Sequence, residues 1–166
     1  MSANELFPIV DPVGRTIGSA TRSECHSGSM LLHPVVHLHV FTPDGRILLQ
    51  KRADDKDIQP GKWDTSVGGH VDFGETVIDA LRREAAEELG LRDFTPRRIE
   101  PYVFQSDVER ELVNPFVAVV DPEYPFEFQK EEISRIDFWS RDQIKEAIGK
   151  LILTPNFEKE YTALFL

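Results

Sequence analysis

The stretch Gly68–Gly90, GGHVDFGETVIDALRREAAEELG, decides the fold. Its second half is rich in helix formers and closes on Gly90, a residue that enters the left-handed C-cap conformation without strain. Read by face, Ile78, Leu81, Ala85 and Leu89 recur at three- and four-residue steps and predict an apolar stripe packed on a sheet. Glu84, Glu87 and Glu88 fall on the adjoining side, with Cβ atoms about 5–6 Å apart. Like charges at that spacing destabilise a helix unless something positive sits among them. A solvated acidic face is the alternative, and the surroundings weigh against it. Gly68, Gly69 and Gly74 let the backbone approach a ligand closely, Glu75 lies near the helix start where the dipole favours a carboxylate, and Arg83 precedes the cluster. Hard oxygen donors of this kind suit Mg²⁺ or Mn²⁺ bridging to a diphosphate.

The whole chain is consistent with such a site. Its 166 residues suffice for one domain with a real core, and 40% hydrophobic with 29% charged residues describes an ordinary globular protein. A formal charge of -10 repels phosphate polymers and no basic stripe is present, which argues against long nucleic acid as a partner. A small anionic substrate then calls for a metal cation to mediate the contact. Cys25 is the only cysteine, so no internal disulfide forms, and the N-terminal residues show neither a signal peptide nor a membrane span. A reducing cytoplasm is expected.

Turn signals cut the remainder into elements. PDGR, at Pro43–Arg46, predicts a hairpin between VVHLHVF and ILLQKR, and Asp11-Pro12-Val13-Gly14 predicts a smaller one in an N-terminal extension over residues 1–25. DTSVGGHV, NPFVAVV and RIDFWS read as strands, Ser140 caps a helix over RDQIKEAIGKL, and Pro155 opens a last helix. Strands with one inserted helix and two late ones predict a mixed sheet covered on both faces.

Gly69, five residues, Glu75, seven residues, then Arg83-Glu84-Ala85-Ala86-Glu87-Glu88-Leu89-Gly90-Leu91 resembles the full Nudix box. The resemblance implies one Nudix domain over residues 1–166, an α/β fold with the Nudix α/β/α sandwich and a mixed sheet, its box at 69–91. It also implies metal-dependent hydrolysis of a nucleoside diphosphate linked to another moiety. Glu84, Glu87 and Glu88 would be the metal-binding and catalytic residues with Mg²⁺ or Mn²⁺, while Gly69, Glu75, Arg83 and Gly90 would hold the box in shape. A diphosphate resists hydrolysis because its own charge repels the nucleophile, so cations that neutralise its oxygens supply much of the acceleration.

RADDKDIQPGKWDTSVGGH also resembles isopentenyl-diphosphate isomerase, a Nudix-fold enzyme that moves protons instead of hydrolysing. His26, His33 and His70 fall where the metal-binding histidines of that isomerase would fall, and are a candidate second metal site. Gly68 occupies the place of its catalytic cysteine, and Cys25 reads as a buried, inert thiol. A hydrolase on an isomerase-like scaffold is therefore preferred over an isomerase. A nucleotide-sensing module without chemistry is the third reading, and the filled charged positions of the box oppose it. His33, His37 and His39 share one strand parity and could line a half-polar sheet face. Arg52 and Trp63 are candidate substrate contacts, with a surface ion pair and packing as their plainer roles. Glu109, Glu111, Glu131 and Glu132 are possible further ligands or bases, and YPFEF (124–128) is read as an exposed aromatic loop. The expected partner is a small-molecule diphosphate, with a monomer or homodimer and no membrane.

Overall fold

The computed structural model describes residues 3–166, so the first two residues of the expected extension lie outside it. The chain runs β1 (Leu6–Val10), β2 (Thr16–Thr21), α1 (Arg22–Cys25), β3 (Leu32–Phe41), β4 (Ile47–Arg52), β5 (Trp63–Asp64), β6 (Val67–His70), α2 (Val77–Leu89), β7 (Arg97–Arg98), β8 (Tyr102–Gln105), β9 (Arg110–Val119), β10 (Ile133–Trp139), α3 (Arg141–Ala147) and α4 (Pro155–Phe165). β1 and β2 form the small hairpin expected around Asp11–Gly14 and make a sheet of their own. The main sheet has the order β10-β4-β3-β9-β7 and is mixed, because β3 and β9 run parallel while the other pairs are antiparallel. Both central strands are almost wholly buried, as strands covered on two faces must be.

The two faces follow from strand alternation. Leu48 joins Val36, Leu38 and Val40 against Ala80, Leu81, Ala85 and Leu89 of α2. Ile47 and Leu49 point the other way, against Ile144 and Ala147 of α3 and Phe157 and Tyr161 of α4. Full burial of a leucine such as Leu81 or Leu89 stabilises by about 1.5–3 kcal/mol. The result is the expected α/β/α sandwich.

Three expectations are corrected. The hairpin at PDGR makes its turn, with Gly45 at φ 88°, but β3 and β4 pair only at Phe41 and Ile47. Beyond that point the Ser66 hydroxyl accepts from the Val40 amide and donates to the Leu48 carbonyl, wedging the strands apart; β6 then pairs with β3 and β5 with β4. Ile78 is not part of the buried stripe but is 40% exposed; Val77, four residues before Leu81, packs on the core in its stead. Finally, YPFEF is not an exposed loop. Tyr124, Phe126 and Phe128 pack against the α2 core, the Tyr124 hydroxyl bridges the Gly90 carbonyl and the Arg92 amide, and the Glu127 amide donates to Leu89. These residues close the C-terminal end of α2, whose last carbonyls need donors. Ser140 caps α3 as predicted, although the helix stops at Ala147.

Candidate active site

Thr76 caps α2 and Gly90 ends it at φ 63°, so its carboxylates project from a helix fixed at both ends. Arg83 sits among them. Its Nε and Nη2 donate to the two oxygens of Glu75 at 2.8 and 2.9 Å, its Nη1 donates to Glu84 at 2.7 Å, and Nη2 also reaches the His70 carbonyl at 3.0 Å. Glu75 in turn accepts from the Asp72 amide at 3.0 Å. This fork ties the glycine loop to the helix and supplies the cation that the clustered acids need.

Gly69 is required by contact, not by backbone angle. A Cβ at that position would stand 2.2 Å from the Glu84 Cδ and 2.5 Å from its Oε2, so Glu84 lies directly against the strand. Glu84 is 6% exposed, and burial raises its pKa above the usual carboxylate range. Glu88 accepts from the Gln50 amide at 2.8 Å through Oε1, while its buried Oε2 has no hydrogen-bond partner among the described residues. Burial and the neighbouring Glu84 push Glu88 up well beyond the ordinary value. An orphaned carboxylate oxygen beside a second buried carboxylate is a donor set that fits a divalent cation. Glu87 is exposed, 3.4 Å from Arg83 Nη1.

A second cluster lies across the same pocket. His26, just after α1, His33 on β3 and His70 at the end of β6 bring one ring nitrogen each within 4.8 Å of one another, and a ring nitrogen of His33 and one carboxylate oxygen each of Glu109 and Glu111 form a second group within the same distance. His33 Nδ1 is 2.9 Å from the Leu31 carbonyl, which fixes that nitrogen as the donor and leaves a lone pair on Nε2. Nε2 of His33 and of His70 are buried without a hydrogen-bond partner among the described residues, and Glu109 and Glu111 each bring a carboxylate oxygen to 4.0 Å from His33 Nε2. Burial lowers the pKa of all three histidines, most strongly that of His70, and so favours the neutral form that ligates. Burial pushes Glu111 up to about 7, with Glu109 adding to the effect. The hairpin shapes this cluster, since the Phe7 ring stacks on His70 at 4.6 Å and on His33 at 5.9 Å.

The divergence of β3 and β4 opens a cavity of about 270 Å³ between the clusters, lined by Gln50, Gly68, Gly69, His70, Glu88, Glu109 and Glu111 among others. Arg52 lies on its wall, donating to the Ile58 carbonyl at 2.9 Å and standing 3.5 Å from Asp64. Trp63 does not line it; the indole packs edge-on against Trp139 at 5.3 Å, with Arg135 over its ring. Glu132 pairs with Lys56 on the surface, and Glu131 is exposed. Sequence reasoning missed Gln50, Arg22, His37 and Asn156, all of which line the cavity. Only the parity of the β3 histidines hinted at His37. Cys25 is fully buried beside Phe7, Ile9 and Ala20, and burial pushes its thiol up to about 11.

Residues 31–163 match the NUDIX domain, and the chain belongs to that family. It is 35% identical over 134 residues to an uncharacterised Nudix hydrolase of Pseudomonas aeruginosa, covering 81% of this chain and 78% of that one. It is 32% identical over 168 residues to an isopentenyl-diphosphate Delta-isomerase of Kocuria rhizophila, covering 87% and 93% respectively. A crystal structure from Deinococcus radiodurans superposes with a TM-score of 0.81 at 20% identity, covering 98% of this chain and 100% of that one, a likeness of fold. The chain is accordingly an enzyme of the Nudix pyrophosphohydrolase class, a group that generally uses divalent metals and small-molecule substrates. Among the described residues, no helix is long and apolar enough to cross a membrane.

Proposed function

We propose that this protein hydrolyses the diphosphate linkage of a nucleoside diphosphate derivative or a related small organic pyrophosphate, with Mg²⁺ or Mn²⁺. The observation that carries the reading is the pair formed by Glu84, buried against Gly69, and Glu88, whose buried Oε2 has no hydrogen-bond partner among the described residues and which lines a pocket whose walls carry Arg22 and Arg52. Glu84, Glu87 and Glu88 would hold one cation, and His26, His33, His70, Glu109 and Glu111 a second. When bound, such ions neutralise diphosphate oxygens and acidify water. The chain's own part is to orient the ligands: Arg83 and Glu75 lock the box, Gln50 fixes Glu88, and the Leu31 carbonyl sets the His33 tautomer.

The second reading, isopentenyl-diphosphate isomerisation, is favoured by the two groups of three histidines and glutamates that share His33 and by the isomerase names among the relatives. Gly68 opposes it. The position has room for a side chain, since its Cβ would meet nothing closer than 3.5 Å, yet it offers no thiol, and buried Cys25 is not reactive.

A screen of nucleoside triphosphates, nucleotide sugars, dinucleoside polyphosphates and isopentenyl diphosphate, with and without Mg²⁺ or Mn²⁺, tests both, with products weighed by mass spectrometry. Metal-dependent cleavage that falls at least about 100-fold in Glu88→Gln supports the hydrolase. Isomerised isopentenyl diphosphate without cleavage would overturn it.

A further inference from the structure

A second cavity adjoins the carboxylate pocket. It measures about 420 Å³ and is walled by Tyr102, Val103, Phe104, Val113 and Leu164; His37, Glu111 and Asn156 line both spaces. At their junction His37 belongs to a buried polar network that the metal-binding residues do not explain. Its Nδ1 lies 3.0 and 2.9 Å from the two oxygens of Glu160 on α4. Glu160 also receives the Nε2 of His39 at 2.8 Å and the Tyr102 hydroxyl at 2.5 Å, and its side chain is 2% exposed. A carboxylate so deeply buried is tolerable only with such a gathering of donors.

The network has a direction. Glu160 and His39 are hidden, while His37 is 21% exposed. With Nδ1 committed to Glu160, its other nitrogen, Nε2, is turned toward the glycine strand: a Cβ on Gly68 would stand 3.5 Å from His37 Cδ2 and 4.0 Å from Nε2. That end of the pocket is otherwise acidic, with Glu88, Glu109, Glu111 and Asp64 in its lining. Arg52 is engaged with Ile58 and Asp64 through Nε and Nη1, and Arg22 and Asn156 also line this cavity, so His37 adds a donor at the junction to those of the walls. Burial opposes a charged imidazole, but Glu160, with Glu111 and Asp64 behind it, outweighs burial and raises the His37 pKa.

We propose that His37 contacts substrate, its Nε2–H donating to a diphosphate oxygen where the two cavities meet, and that Glu160 is the positioning residue that holds the ring in that orientation. The proposal rests on the diphosphate reading of the pocket. His37 then marks the boundary between the phosphates and the organic group, which the apolar cavity receives.

The test is calorimetric binding of imidodiphosphate with Mg²⁺ to the wild type, Glu88→Gln, His37→Leu, His37→Gln and Glu160→Gln, each checked by thermal melting. His37→Leu should weaken binding about tenfold or more. His37→Gln, which keeps a donor near the Nε2 position, should stay within about threefold, a rescue that a structural role would not produce. Glu160→Gln should weaken binding like His37→Leu, and a variant combining Glu160→Gln with His37→Leu should be no weaker than His37→Leu alone. If Glu160→Gln does not fold, the two His37 variants decide. Wild-type affinity in His37→Leu, with binding abolished in Glu88→Gln, overturns the proposal and keeps the metal reading. Loss in His37→Leu with none in Glu88→Gln keeps the His37 contact and removes the metal reading. No binding by the wild type overturns both.

Discussion

Replacing Gly69 by alanine isolates one contact. Gly69 lies in β6 without a positive φ, so the alanine backbone is unstrained and the whole effect comes from its Cβ. That atom would sit 2.2 Å from Glu84 Cδ, so the carboxyl group must retreat by about 1.2 Å to reach ordinary contact near 3.4 Å. Overpacking of this kind costs about 1–3 kcal/mol. The retreat also strains the 2.7 Å bond from Arg83 to Glu84, and a charge-assisted bond contributes about 1.5–3 kcal/mol. With the bond fully lost the sum is about 2.5–6 kcal/mol, which corresponds to a melting point lower by roughly 5–24 °C for a chain of this size. A ligand misplaced by about 1 Å also costs on the order of 100-fold in turnover. Differential scanning calorimetry and metal-dependent phosphate release measure the two effects. Gly69→Ala combined with Glu84→Ala removes the clash but not the loss of the Arg83 bond, so it should regain only the overpacking part, about 1–3 kcal/mol, while remaining inactive. If Gly69→Ala melts like the wild type and turns over normally, or if the double variant is less stable than Gly69→Ala, the packing argument fails.

Arg83→Lys keeps the charge but loses the fork across Glu75, Glu84 and the His70 carbonyl; because Arg83 is 28% exposed, solvent screening limits the loss to about 2 kcal/mol, measured by urea titration. Equal stability would show that the fork is ornamental to folding. Hydrogen bonds from His37 and His39 overcome burial and depress the Glu160 pKa, so its contribution is present above the unfolded value near 4.5 and is lost as pH falls below it. Urea melts between about pH 5 and 3 should therefore show a steeper loss in the wild type than in Glu160→Gln, and parallel curves would refute the linkage. Cys25, buried with its thiol pushed up to about 11, should stay unreactive toward a thiol-specific disulfide reagent at about pH 8 until urea unfolds the chain. Prompt labelling of the native protein would contradict that burial.

What the sequence determined by itself is local. The caps of α2, its acidic side, the spacing of Gly69, Glu75 and Arg83, and the small N-terminal hairpin are set by residues within a few turns of one another, where periodicity and turn chemistry act directly. The sandwich followed from the alternation of helical and strand patterns. Contacts across long sequence distances were decided only by the tertiary structure. Ser66 wedges β3 from β4, so a hairpin that looked complete splays and opens the pocket. Tyr124, Phe126 and Phe128 look like a loop until α2 offers them a surface. His37 and Glu160 are 123 residues apart, and no local pattern links them. Gly69 reads as a point of close backbone approach to a ligand, whereas its reason is the carboxyl of Glu84 lying against it, a packing fact that exists only once the helix has docked on the sheet.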